Sequence, residues 1–134
     1  MAENIYQKTI EVGAAVIDRN GHVNNVVYVE WMQELAIGHA STWKVDDLMA
    51  EQGTTWFARK HVIEYLRPIH LGDKIEARTW IASAERVKSL RRYEFLRNGQ
   101  RVAQGETEWV YVDAETGRPK RIPEQMHSLI RTDD

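Results

Sequence analysis

The sequence predicts an α+β domain in which one long helix packs against one antiparallel sheet. Three observations carry this. Trp31, Met32, Leu35 and Ile37 recur at spacings near 3.6, with Glu30, Gln33 and Glu34 between them, which is the period of an amphipathic helix. From Thr54 onward the pattern changes to strands separated by turn signals; Ile75, Ala77, Thr79 and Ile81 alternate cleanly with Lys74, Glu76 and Arg78. Asn98-Gly99 is a two-residue hairpin signal, because both positions tolerate positive φ.

The 134 residues, 43% hydrophobic and 28% charged, match one globular domain spanning 1–134 with one core. The 18 basic and 20 acidic residues leave a formal net charge of -2, which argues against a nucleic-acid or membrane-surface protein driven by bulk charge. With no cysteine, disulfides, thiolate nucleophiles and sulfur-ligated metals are excluded. No signal-peptide pattern opens the chain, and no apolar run approaches the ~20 residues of a membrane span. A soluble cytoplasmic protein is the expectation.

In chain order, Gln7 to Ile17 suits a strand with a polar start and a buried end. Propensity and periodicity disagree at Val26-Val27-Tyr28-Val29, which alone reads as a strand. The segment is too long for that, so one helix is expected from Asn25 to about Trp43, with Asn24 or Asn25 as its N-cap. Val45 to Gln52 resembles a short second helix, opened by Asp46 and Asp47 and ended by Gly53. Thr55 to Leu66, Lys74 to Ala82, Ser89 to Arg97 and Arg101 to Val112 are the four later strands, and Asp113 to Pro123 is a loop.

The densest chemistry lies between Asp18 and Asn25, an acid, a tight-turn signal, a histidine and paired asparagines directly before the helix. An ionised carboxylate beside backbone amides that polarise a carbonyl is a sensible pairing for acyl transfer. Asp18-Arg19-Asn20-Gly21 is equally what a plain turn looks like, and composition alone favours the turn. His22 reads as a base, a substrate contact or an ordinary polar residue. The other histidines, His39, His61, His70 and His127, show no metal-ligand spacing, so neither a metal nor a cofactor is expected. Glu30 and Glu34 are candidate bases best explained as a solvated helix face, and the face of Glu64 stays open. Trp31, Trp43 and Trp56 read as core or interface. Lys88, Arg91, Arg92, Lys120 and Arg121 form two basic clusters able to hold phosphates, with surface solvation the simpler account of each taken singly.

The string Asp-Arg-Asn-Gly-His-Val-Asn-Asn, followed by Tyr28 and Trp31, resembles the signature of the hotdog-fold thioesterases, in particular the 4-hydroxybenzoyl-CoA thioesterase-like acyl-CoA thioesterases. It is also similar to the Asp-x-Asn-x-His-Val-Asn-Asn motif of acyl-acyl-carrier-protein thioesterases. Ile63 to Pro68 followed by Leu71-Gly72-Asp73, and Thr116 to Pro119 with Ile122-Pro123, resemble the family's second strand and turn and its closing segment. The resemblance implies a hotdog fold, a long central helix wrapped by an antiparallel five-stranded sheet, paired as a homodimer or homotetramer with active sites at the subunit interface.

By position, Asp18 matches the family's catalytic aspartate, acting as nucleophile or general base. Asn25 matches the residue whose backbone amide faces the thioester oxygen. Tyr28 and Trp31 match residues that line or support the acyl site, and Asn20, His22 and Asn24 are further candidate substrate contacts. In the carrier-protein branch the equivalents of Asn20 and His22 also take part in catalysis, and a further acid stands where this chain has Pro68. The function implied is hydrolysis of an acyl-CoA to free acid and coenzyme A. Alternatives are an acyl-acyl-carrier-protein thioesterase, a hydratase using His22 and Asp18, and a non-catalytic module that binds acyl thioesters.

Overall fold

A computed structural model describes residues 4–43 and 45–130. The elements run β1 (Tyr6–Glu11), α1 (Asn25–Thr42), α2 (Val45–Gln52), β2 (Thr54–Tyr65), β3 (Lys74–Glu85), β4 (Lys88–Arg97) and β5 (Gln100–Asp113). Short 3-10 turns cover Ala14–Val16 and Glu124–Leu129. The strands form one five-stranded antiparallel sheet in the order β1-β3-β4-β5-β2. With α1 laid against it, this is the hotdog arrangement that the resemblance implies.

The helix forms where the β-branched run suggested a strand because its first turn is capped and one face is buried. Asn24 stands in an extended conformation and its side chain accepts from the Val26 amide, satisfying a donor that the first turn leaves open. Val27, Tyr28, Trp31, Met32, Leu35, Ala36 and His39 are then buried along one stripe, and that burial outweighs the weak helix propensity of valine. Asn24, not Asn25, is thus the cap. Gly53, at φ 68, ends α2 at the expected place, since a positive φ costs glycine nothing.

The first strand is shorter than the sequence suggests. β1 pairs with β3 only from Tyr6↔Thr79 to Glu11↔Lys74. After it, the Val12 amide donates to the Asp73 carbonyl at 3.0 Å, and the chain turns through Ala14–Val16. Ile17 forms an isolated bridge with Val23 instead, so Asp18 follows that bridge and does not close a strand. β3 and β4 likewise run past their expected ends to Glu85 and back to Lys88. The intervening turn uses Arg86 at φ 51, a residue that carries no turn signal. At the next hairpin Asn98 and Gly99 take φ 53 and 77, as their chemistry requires.

Strand alternation sets the inner face. Tyr93 and Phe95 on β4 face the helix in register with Gly105 and Ala103 on β5. Gly105 lets α1 approach closely, because a Cβ there would lie 2.8 Å from the Val62 carbonyl oxygen and 3.3 Å from the Met32 sulfur. Around this contact Met32, Tyr93, Phe95, Ile75 and Val102 are fully enclosed. A second cluster, Val45, Tyr111, Ile122 and Met126, lies toward the other end of the helix with Trp43 and Trp56 against it.

Gly105→Ala should therefore destabilise the fold by about 1–3 kcal/mol. Chemical denaturation of the two proteins checks this, and an unchanged midpoint would show that the helix does not depend on this close approach.

Candidate active site

The segment from Asp18 to Asn25 is a closed loop stitched by its own backbone. The Asp18 amide donates to the His22 carbonyl at 3.0 Å and the Gly21 amide to the Asp18 carbonyl at 3.0 Å, with Gly21 at φ 85. Asp18 Oδ1 accepts from the Asn20 amide at 2.8 Å. The plain-turn reading of Asp18 is thus met by one carboxylate oxygen, and among the described residues Oδ2 forms no hydrogen bond. Val23, 1% exposed, anchors the loop in the core. Its amide donates to the Ile69 carbonyl at 2.8 Å, and the Asn24 amide to the Val16 carbonyl at 2.9 Å.

Behind Ile69 a small polar frame holds the loop's support. The His70 amide donates to Asp73 Oδ2 at 2.8 Å, and Arg97 Nη1 donates to the same oxygen at 2.7 Å and to the Pro68 carbonyl at 3.0 Å. The His70 amide and the Arg97 guanidinium hold the Asp73 carboxyl below the usual carboxylate range. The His22 ring meets the His70 ring edge-on, centroids 6.4 Å apart.

At the start of α1, Asn24 Oδ1 accepts from the Val26 amide at 2.9 Å and the Asn24 carbonyl accepts from the Val27 amide at 3.0 Å. Neither bond uses the Asn25 amide, which stays among the donors that a helix N-terminus presents. The Tyr65 hydroxyl, from the end of β2, donates to the Asn25 carbonyl at 3.4 Å. Tyr65 was not a sequence candidate; its partner is 40 positions away, and no local pattern marks such a contact.

Asp18, Asn20, His22, Asn24 and Asn25 are therefore gathered at one place. Tyr28 and Trp31 are not on that surface: they are 2% and 7% exposed and pack beneath it. Tyr28 meets Tyr65 at 5.0 Å, Trp31 at 5.5 Å and Phe95 at 6.0 Å between ring centroids. Burial, then the neighbouring Tyr65, pushes the Tyr28 phenol up to about 12, so it stays protonated at neutral pH. Glu30, Glu34 and Glu64 are exposed. Among the described residues no group of His, Asp and Glu is placed to hold a metal ion, and no helix is long and apolar enough to cross a membrane.

One expected cluster is broken up. Arg92 on β4 is exposed, as are Lys88, Lys120 and Arg121, but Arg91 is 5% exposed because the strand's alternation turns it under α1. It is no surface phosphate ligand. Its Nη1 donates to His39 Nδ1 at 2.9 Å and to Thr79 Oγ1 at 3.1 Å. Burial first, and Arg91 second, lower His39 to about 3, so the ring is a neutral acceptor.

The profile of the thioesterase-like superfamily matches residues 12–130. Among solved structures, the fold is similar to a DHNA-CoA thioesterase from Staphylococcus aureus, at 22% identity and a TM-score of 0.81 over 93% of this chain and 87% of that one. It is similar to a 1,4-dihydroxy-2-naphthoyl-CoA thioesterase from Synechocystis, at 17% identity and a TM-score of 0.82 over 94% and 95%. A 12:0-ACP thioesterase from Umbellularia californica matches at 15% identity and a TM-score of 0.86, over 97% of this chain and 52% of that one. A search of curated proteins found no match.

The buried histidine gives stability an acid limb. The folded chain keeps His39 neutral down to about 3 against an ordinary value of 6.5, so between those values the unfolded state binds more protons and stability falls as pH drops. Burial lowers His61 too, with the same sign. His39 alone should cost about 1–2 kcal/mol between pH 6.5 and 5. Urea denaturation at the two pH values checks this beside His39→Gln, which keeps an acceptor for Arg91 and should flatten the dependence; equal slopes would contradict it.

Proposed function

The chain belongs to the thioesterase-like superfamily, and from that membership we propose that it is an acyl-CoA thioesterase, hydrolysing an acyl-CoA to a free carboxylic acid and coenzyme A. The observation that carries this reading is the Asp18 loop. The Asn20 amide fixes one carboxylate oxygen, the other is left for chemistry, and seven residues after Asp18 the chain enters a capped helix of 18 residues. The Asn25 amide at that N-terminus is the donor for the thioester oxygen, where negative charge develops during attack.

Two forms of the chemistry use the same atoms. With Asp18 as general base, Oδ2 takes a proton from water as the water oxygen bonds to the carbonyl carbon, and collapse of the oxyanion breaks the C–S bond to release the thiolate. With Asp18 as nucleophile, Oδ2 bonds to that carbon, expels the thiolate, and leaves an anhydride that water opens. Asn20, His22 and Asn24 are the polar neighbours of the reacting group. Tyr28 and Trp31 form the floor that holds the helix start in place.

A homo-oligomer completes the site in this reading. β2 is a sheet edge of 12 residues that exposes Phe57, Val62 and Tyr65, and α1 exposes Val26 and Ile37. A long unpaired edge with apolar side chains is a surface that pairs. A carrier-protein substrate is the second reading, supported by the fold similarity to the 12:0-ACP thioesterase from Umbellularia californica.

Thiol release should be followed from short, medium, long and aromatic acyl-CoAs and from acyl-carrier protein. Asp18→Asn should lower turnover by ~10²-fold or more, with the circular dichroism spectrum and oligomeric state unchanged. Full activity in that variant would sink the assignment. Release from the carrier protein alone would select the second reading, and tight binding without release would make the chain a binding module.

A further inference from the structure

Beneath the second half of α1 lies a cavity of about 370 Å³, lined from α1, α2, the inner face of the sheet and the C-terminal 3-10 turn. Its walls are mainly apolar, with Trp43, Met49, Trp56, Ile81, Ile122 and Met126 among them. Arg91 also lines it, although this residue is 5% exposed. Apart from the three tryptophans, the other polar side chains of the lining, Gln33, Asp46 and Thr55, are all exposed.

Arg91 is a buried cation that no carboxylate pairs with among the described residues. Its Nη1 is used by the neutral partners His39 and Thr79. Among the described residues Nε and Nη2 form no hydrogen bond, and no carboxylate lies within ion-pair distance of it. Burial lowers it only to about 10, so it keeps its charge at neutral pH. A buried charge left in this state is costly unless an anion joins it.

A guanidinium fork matches a carboxylate, and apolar walls suit a ligand whose remainder is hydrocarbon or aryl. A phosphate group, with more charge and more oxygens to satisfy, is poorly served by one cation in such a lining. We propose that this cavity binds a free, apolar monocarboxylic acid, with its carboxylate on the open edge of Arg91 and its body among Trp43, Trp56 and Ile81. At ~30 Å³ for each water-sized group, the volume holds roughly a dozen non-hydrogen atoms. This is the size of a medium-chain fatty acid or a bicyclic aromatic acid. The site is separate from the Asp18 loop and stands whether or not the chain hydrolyses thioesters.

Titration of the full chain with sodium decanoate and with 1-decanol, followed by tryptophan fluorescence and calorimetry, tests this. Trp43, Trp56 and Trp109 line the cavity and report its filling. Decanoate should bind saturably with one molecule per chain, at least tenfold more tightly than decanol. Arg91→Met should bring decanoate down to the level of decanol, and Asp18→Asn should leave decanoate binding intact. Equal affinity for acid and alcohol in the wild type would overturn the proposal, and this comparison decides even if Arg91→Met fails to fold. Undiminished decanoate binding in a folded Arg91→Met protein, or its loss in Asp18→Asn, would overturn it as well.

Discussion

The close seating of α1 on the sheet is the constraint from which the rest follows. Met32 is fully buried against a strand position where even a methyl group would meet the Val62 carbonyl. With the helix held there, its N-terminus lies within reach of the end of β2, where Tyr65 contacts the Asn25 carbonyl. The loop before it is tied on both sides, to Ile69 through Val23 and to Val16 through Asn24. A helix end pinned in this way presents its free amide in a fixed direction, and preorganisation of that kind is what a donor to a developing oxyanion requires.

The parts of the fold written in local chemistry were legible. Asn24 is a capping residue, Gly53 a helix stop and Asn98-Gly99 a hairpin, and each stands where its backbone preferences place it. The parts decided by distant partners were not. β1 stops at Glu11 because its partner β3 begins only at Lys74 and the chain then turns through Ala14–Val16, and nothing near Val12 announces where that partner ends. The turn at Arg86 lacks a glycine or asparagine, so two strands looked shorter than they are.

The site divides in the same way. Asp18 to Asn25 are contiguous, so their gathering could be read directly, and the turn reading of Asp18 uses one carboxylate oxygen, while the other forms no hydrogen bond among the described residues. Tyr28 and Trp31 were candidates through the resemblance alone, which left open whether they line or support a pocket; in the structure both are buried. Arg91 was invisible as an interior residue because a charged side chain beside Arg92 in a strand reads as solvated surface. Its inward turn follows from register with Thr107 and Ile81, which only the assembled sheet supplies. The helix thus has two chemically distinct ends, a capped polar start beside a carboxylate and a second half over a buried guanidinium.

The central claim is that the thioester carbonyl sits between the Asp18 carboxylate and the Asn25 amide. A crystal structure with a non-cleavable acyl-CoA analogue, a ketone in place of the thioester, tests it most directly. The account predicts the carbonyl oxygen within hydrogen-bond reach of the Asn25 N–H, ~2.7–3.1 Å, with Asp18 Oδ2 facing the carbonyl carbon directly or through one water. A carbonyl bound away from both groups, with the loop and the helix start empty, would contradict it.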